Sequence, residues 1–266
     1  MNNIALAFLL TTLAGLATGI GSLFAFVTSK SNKRFLSFVL GLSAGVMIYV
    51  SFVELFAESL NTLTAIYGKK SGTIYTVIAF FGGMVFIGLI DKLIPADKNP
   101  HEIHSADMVE KPHLQRKKLL RTGLFTALAV AIHNFPEGIA TFLSVIKSPV
   151  MAAPIVAAIA IHNIPEGIAI AVPIYQSTGN RRKAFLFSFL SGLAEPVGAL
   201  VGYLILMPFV NETINSVIFS AVAGIMVFIS VDELLPTAEE YGEHHLAIYG
   251  LIAGMAVMAV SLILFI

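Results

Sequence analysis

The hexapeptide His133-Asn134-Phe135-Pro136-Glu137-Gly138 has a second copy downstream, His162-Asn163-Ile164-Pro165-Glu166-Gly167. On an α-helix, residues three and four apart share a face. Each copy therefore stacks an imidazole over a carboxylate, with an amide beside them. These are ligands for a borderline divalent cation such as Zn(II), Fe(II), Mn(II) or Co(II). The chain has no Cys, so it has no thiolate for Cu(I), no thiol nucleophile and no disulfide framework. Pro136 and Pro165 lack an N–H, which frees the carbonyls of Ile132 and Ile161. In a membrane such a carbonyl needs water or a cation as partner. The spacing is not that of an HExxH zinc protease: Glu stands four residues after His, and no second His follows at i+4. One copy alone would serve equally as an interhelical hydrogen-bonding pair. Two copies, together with Glu195 in the segment Ser191-Gly192-Leu193-Ala194-Glu195-Pro196, favour a cation site.

The elements that must carry these residues are membrane helices. Of 266 residues, 57% are hydrophobic and 12% charged, where a soluble domain carries about 25% charged residues. The mean hydropathy is +0.87. Sixteen Lys and Arg balance sixteen Asp and Glu, which gives no basic surface for nucleic acid. Eight stretches reach the roughly 20 apolar residues that a span needs: 4–28, 35–60, 73–94, 119–146, 150–175, 184–209, 214–236 and 246–266. Period-2 alternation is absent, so the expectation is an all-α polytopic membrane protein rather than a barrel. The Met1-Asn2-Asn3 start lacks the basic region of a cleaved signal, which makes the first stretch a retained span. Loops 1–2, 3–4 (95–118) and 5–6, with their flanks, hold 13 of the 16 basic residues. The positive-inside rule puts those loops in the cytoplasm and both termini outside.

His133, His162 and Glu195 each fall near the middle of their spans, with no Lys or Arg nearby in sequence. A carboxylate at that depth costs about 2.5–3.5 kcal/mol on insertion scales. Glu137, Glu166 and Glu195 together form an excess of negative charge that a bound divalent ion, or protons, would offset. The chain also repeats itself on a longer scale. Gly15-Leu16-Ala17 through Gly21 in span 1 matches Gly192-Leu193-Ala194 through Gly198 in span 6. Ala44-Gly45-Val46-Met47 with Ser51-Phe52-Val53-Glu54-Leu55 in span 2 matches Ala223-Gly224-Ile225-Met226 with Ser230-Val231-Asp232-Glu233-Leu234 in span 7. Spans 1–3 and 6–8 are then two copies separated by an odd number of spans. They must lie in opposite orientations, as in transporters with a site near the midplane.

At these residues the sequence resembles the ZIP family of divalent-metal transporters and, within it, the bacterial ZupT-like branch. The resemblance runs over essentially the whole chain. It implies a 3+2+3 helix arrangement, with spans 1–3 and 6–8 as inverted repeats around spans 4 and 5. It also implies a binuclear site. One metal would be held by His133, Glu137, His162 and Glu166. A second would use Asn134, Asn163 and Glu195, with Glu137 and Glu166 bridging. Many eukaryotic members carry a second His at the position of Glu166 and Glu at that of Asn163. This chain is richer in carboxylate and amide oxygen, which widens the expected substrates from Zn(II) to Fe(II), Mn(II) and Co(II).

The expected function is import of these metals across the cytoplasmic membrane, without a prosthetic group and without a nucleotide motif to supply energy. The expected partners are divalent metal ions and the lipid bilayer, with a homodimer open to it. Two rival classes are an intramembrane metal-dependent enzyme, for which no clear general base stands outside the ligand set, and a proton-coupled carrier of organic cations. Other polar groups are weaker signals. Glu54 and Glu58 near the outer end of span 2, and Asp232 and Glu233 near the inner end of span 7, suit a cation-concentrating vestibule and an exit. His101, His104 and His113 in the 95–118 loop read as a solvated linker rather than a metal-handling segment, and Glu239, Glu240, Glu243, His244 and His245 before span 8 read equally as an acceptor of leaving metal or a solvated turn.

Overall fold

The computed structural model describes residues 3–23, 33–93, 112–207, 209, 211–241 and 244–264. Among them there are helices and turns and no strand. Helix α1 is Asn3–Ser22. Helix α2 (Lys33–Val50), a π-helical turn (Ser51–Phe56) and α3 (Ala57–Tyr67) run on as one rod. Gly68, at φ +80°, ends that rod and lets α4 (Lys69–Leu93) turn back. Helices α5 (Pro112–Lys147) and α6 (Pro149–Thr178) carry the two motifs. A broken rod follows: α7 (Arg181–Gly192), α8 (Ala194–Val201) and a π-helical turn (Gly202–Leu206). Helix α9 (Glu212–Ile229), a third π-helical turn (Ser230–Leu234) and α10 (Leu235–Tyr241) form the next rod, and α11 is His244–Leu264. Side-chain caps start two of these helices: Asn180 Oδ1 accepts from the Lys183 N–H and Asn211 Oδ1 from the Ile214 N–H.

Seven of the rods are long and apolar enough to cross a membrane by length and composition, and α6, at 30 residues, is an eighth long helix. Large apolar side chains stand out on their outer faces, such as Ile78 and Phe81 on α4 and Val260 and Ile263 on α11. In water such exposure would be costly; in lipid it is matched. The chain is thus an all-α polytopic membrane protein. His101 and His104, with the side chain of His113, lie outside the described residues, as do Glu243 and the side chain of Glu240.

The rods sort into two groups. Helices α1, α5, α6, α7 and α8 pack on one another; α2, α3, α4, α9, α10 and α11 form the second group. The groups meet where α2 packs on α6 and α5 on α9. Close approach within each group depends on glycine. A Cβ on Gly45 would strike the Leu251 carbonyl, and one on Gly224 would strike the Phe80 carbonyl. Buried hydroxyls bridge seams of the second group as well: Ser37 donates to the Ala238 carbonyl (2.7 Å), Ser59 to the Ser216 carbonyl (2.8 Å) and Ser220 to the Thr76 carbonyl (2.8 Å). Small residues and hydroxyls are the means by which helices associate where lipid is as apolar as leucine.

The break in the sixth span was not expected from its hydropathy. It falls at Leu193, just before Glu195. Pro196 has no N–H for the carbonyl four residues back, which belongs to Gly192. At Pro136 and Pro165 the helices continue, and the residues four back are Ile132 and Ile161. The break puts Glu195 into the first turn of α8, where a carboxylate is favoured by the helix dipole.

Candidate metal centre

The two motif helices lie side by side, and each histidine is answered by the other helix. His133 Nε2 is 2.9 Å from Glu166 Oε1, and His162 Nε2 is 2.9 Å from Glu137 Oε1. Within one motif the closest approach is looser, with His162 Nε2 and Glu166 Oε1 3.9 Å apart. Stacking along one face was expected; pairing across the helix interface is what the tertiary structure adds. Glu195 joins from α8, where it accepts a hydrogen bond from Asn163 Nδ2. That same Nδ2 donates to the Ala14 carbonyl of α1 (2.9 Å), and Asn134 Nδ2 donates weakly to the Ser191 carbonyl of α7 (3.4 Å). The backbone oxygens of Ala14 and Ser191 had no side-chain signal in the sequence.

Glycine sets these distances. Gly138, next after Glu137, lies against the backbone of Glu195, and Gly167, next after Glu166, lies against the Thr18 carbonyl. A Cβ at either would run into main chain. Ser188 Oγ fixes the second seam by reaching the Thr18 carbonyl (3.1 Å) and the Gly167 carbonyl (3.2 Å).

All seven sequence-derived residues, His133, Asn134, Glu137, His162, Asn163, Glu166 and Glu195, are buried, none more than 2% exposed. Burial without full hydrogen bonding is rare because it is costly. Here His133 Nδ1, Asn134 Oδ1, Glu137 Oε2, His162 Nδ1, Asn163 Oδ1, Glu166 Oε2 and Glu195 Oε2 have no hydrogen-bond partner. The ion-pair partners of Glu137 and Glu166 among the described residues are imidazoles alone. Among those residues no three His, Asp or Glu side chains stand in the geometry that would hold a metal ion. The imidazoles and carboxylates engage one another instead, so cation binding here would exchange His–Glu pairs for metal–ligand bonds.

Two further carboxylate regions flank the centre. Glu54 falls within the first π-helical turn and is an electrostatic neighbour of both His162 and Glu58. Its repeat counterpart Glu233 falls in the third π-helical turn and is buried. With Asp91 and Asp232 it lines a pocket between α4, α5 and α9. Farther out, Glu239 Oε1 is 3.0 Å from His244 Nδ1 on the exposed surface.

The family model described as ZIP Zinc transporter matches residues 91–262, the part of the chain that holds both motifs and Glu195. The chain belongs to the ZIP family. Similar ZIP-family proteins include one from Streptococcus mutans serotype c, 63% identical over 260 residues that cover 98% of this chain and 97% of the relative. One from Clostridium perfringens is 58% identical across 100% of this chain and 98% of its own length. One from Oceanobacillus iheyensis is 60% identical, covering 99% of each. Each is named Zinc transporter ZupT. Membership in the ZIP family makes the chain a transporter and not an enzyme, which removes the intramembrane metalloenzyme as a rival.

Proposed function

We propose that this transporter takes up Zn(II), and with it Fe(II), Mn(II) and Co(II), across the cytoplasmic membrane through a binuclear site. His133, Glu137, His162 and Glu166 hold one metal. Asn134, Asn163 and Glu195 hold the second, and Glu137 and Glu166 bridge. The observation that carries this reading is the buried cluster itself: imidazole, carboxylate and amide atoms from α5, α6 and α8 face one another with many lone pairs unused. Zinc is what the relatives' names specify. The oxygen-rich ligand set supports the wider range, since Mn(II) and Fe(II) accept carboxylate and amide oxygen more readily than thiolate.

The residues 1–266 act as one transport unit in this reading, with spans 1–3 and 6–8 as inverted copies around spans 4 and 5. The packing supports that symmetry. Exchanging spans 1, 2, 3 and 4 with 6, 7, 8 and 5 turns the α2–α11 seam into the α9–α4 seam, and the α1–α6 seam into the α8–α5 seam. Gly45 and Gly224, repeat counterparts, serve these matching seams. Alternating access then follows from movement of one group against the other. Both termini lie outside, and a homodimer is the proposed assembly.

Radiolabelled Zn(II) uptake into proteoliposomes tests the function, with the wild type beside Glu137→Ala and Glu195→Ala, each with and without a pH gradient. The wild type accumulates metal and a chelator stops it, while both variants lose at least about tenfold of the rate. Equal uptake by all three overturns the site, and chelator-resistant flux of an organic cation overturns the substrate class. Single cysteines test the topology in a chain that otherwise has none. Lys69→Cys is labelled by an impermeant reagent in intact cells and Arg182→Cys only after permeabilisation; the reverse pattern inverts the orientation.

A further inference from the structure

Gly15 of α1 and Gly192 of α7 are counterparts in the sequence repeat, and they touch: a Cβ on either would strike the carbonyl of the other. Two counterparts can meet only on an axis that exchanges the copies. The contacts around them pair off about the same axis. Gly138 lies against the Glu195 carbonyl and Gly167 against the Thr18 carbonyl. Gly198 lies against the Phe135 carbonyl and Gly21 against the Ile164 carbonyl. The pairs His133–Glu166 and His162–Glu137 are images of each other, both at 2.9 Å. Asn163 donates to the Ala14 carbonyl as Asn134 does to that of its counterpart Ser191. Of the seven site residues, only Glu195 has a counterpart of another type, and that counterpart is Thr18.

The two side chains leave their backbones in matching directions. Glu195 Cβ lies 3.2 Å from the place of a Cβ on Gly15, and Thr18 Cβ lies 3.0 Å from the place of one on Gly192. Thr18 is fully buried, and its Oγ1 has no hydrogen-bond partner. Other helical threonines, such as Thr12, Thr126 and Thr178, donate to the carbonyl four residues back. For Thr18 that carbonyl belongs to Ala14, and it already accepts from Asn163 Nδ2 besides the helical N–H. A buried hydroxyl left in this way is a cost that a valine of the same shape avoids. Packing alone therefore does not explain a threonine here.

We propose that Thr18 is a positioning residue for the second metal, set opposite Glu195 across the axis, and that its hydroxyl holds a water in that metal's shell. The inference rests on the reading of Asn134, Asn163, Glu137, Glu166 and Glu195 as the ligands of that metal. The first four are two counterpart pairs, so an ion that they share lies on the axis. Five oxygen ligands leave one place in an octahedral shell. Glu195 fills the place on its side directly. Threonine ends two bonds short of glutamate, so on the other side its hydroxyl meets the metal through a water. Such a partner fixes the orientation of what it holds, and its loss weakens the metal without removing a ligand.

Equilibrium binding of Zn(II) to the purified full-length protein tests this, comparing wild type, Thr18→Val, Thr18→Ser and Glu195→Ala, with the metal-free melting temperature of each in detergent. The wild type binds two equivalents. Thr18→Val is expected to weaken the second by about tenfold and to leave the first unchanged. Its melting temperature stays at or above that of wild type, because an unpartnered buried hydroxyl is removed. Thr18→Ser, which keeps the hydroxyl, is expected to recover most of the lost affinity. Wild-type binding of both equivalents by Thr18→Val overturns the proposal. So does a Thr18→Ser protein as weak as Thr18→Val, or a Thr18→Val protein in which both equivalents and the melting temperature fall together, since that is loss of packing. Glu195→Ala is the reference. Two tight equivalents there overturn the binuclear reading and with it this proposal, whereas loss of the second there with no change in Thr18→Val overturns this proposal alone.

Discussion

Glu137 and Glu166 each pair with the histidine of the neighbouring helix, and this crossing makes the two motifs one site. Neither motif could bind well alone, because its own His and Glu are held toward the other helix. Asn163 has a further task besides its proposed place on the second metal. Its Nδ2 is shared between the Ala14 carbonyl and Glu195, so it orients the carboxylate that joins α8 to the motif helices. Partners of this kind matter nearly as much as ligands. Asn163→Ala is expected to weaken metal affinity by about 10–100-fold, read as KM for Zn(II) uptake, with protein yield unchanged. Which residues could bind a cation was legible from types and spacing. Which atoms pair was not, because the i,i+4 rule describes one helix and the pairing is between two.

At the scale of elements, glycine next to each motif carboxylate decides how near the neighbouring helix comes. Gly138 touches the Glu195 backbone and Gly167 the Thr18 carbonyl. A methyl group at either forces α8 or α1 outward, and an overpacked seam costs about 1–3 kcal/mol. Gly138→Ala is expected to lower the melting temperature in detergent and cut Zn(II) uptake, since it also displaces Glu195. Gly82 has open space around it. Gly82→Ala should leave both readouts within error of wild type, and a comparable loss there would mean that the seam at Gly138 has no special role. The eight apolar stretches were readable because hydropathy and span length are local. The break at Leu193 had its signal in Pro196, but hydropathy passes over it. The π-helical turns have no signal in composition at all.

At the scale of the molecule, the two groups of helices meet along limited surfaces, and the centre lies in one of them beside that boundary. Lys147 at the end of α5 reaches Glu212 at the start of α9 (2.9 Å), an ion pair that links one group to the other at an exposed edge. Such a pair contributes little to stability, about 0–1 kcal/mol, so it marks a contact that can part. The double variant Lys147→Cys, Glu212→Cys, joined by a short cleavable bifunctional thiol reagent, is expected to stop Zn(II) uptake, and reduction to restore it. The wild type, without cysteine, is indifferent to the reagent. Uptake that continues in the cross-linked protein would mean that metal crosses without movement between the groups at this edge.

The sequence by itself determined the solvent, the helical class, the family and the identity of the candidate ligands. Each of these follows from local quantities: hydropathy over a span, residue type, and spacing along one helix. It also contained the long repeat, because matched residues recur in matched order. Only the tertiary structure decided that His133 answers Glu166 rather than Glu137, and that Asn163 ties Glu195 to α1. These are contacts between helices far apart in the chain. They depend on how closely backbones approach at Gly138 and Gly167. No single stretch of the chain records them.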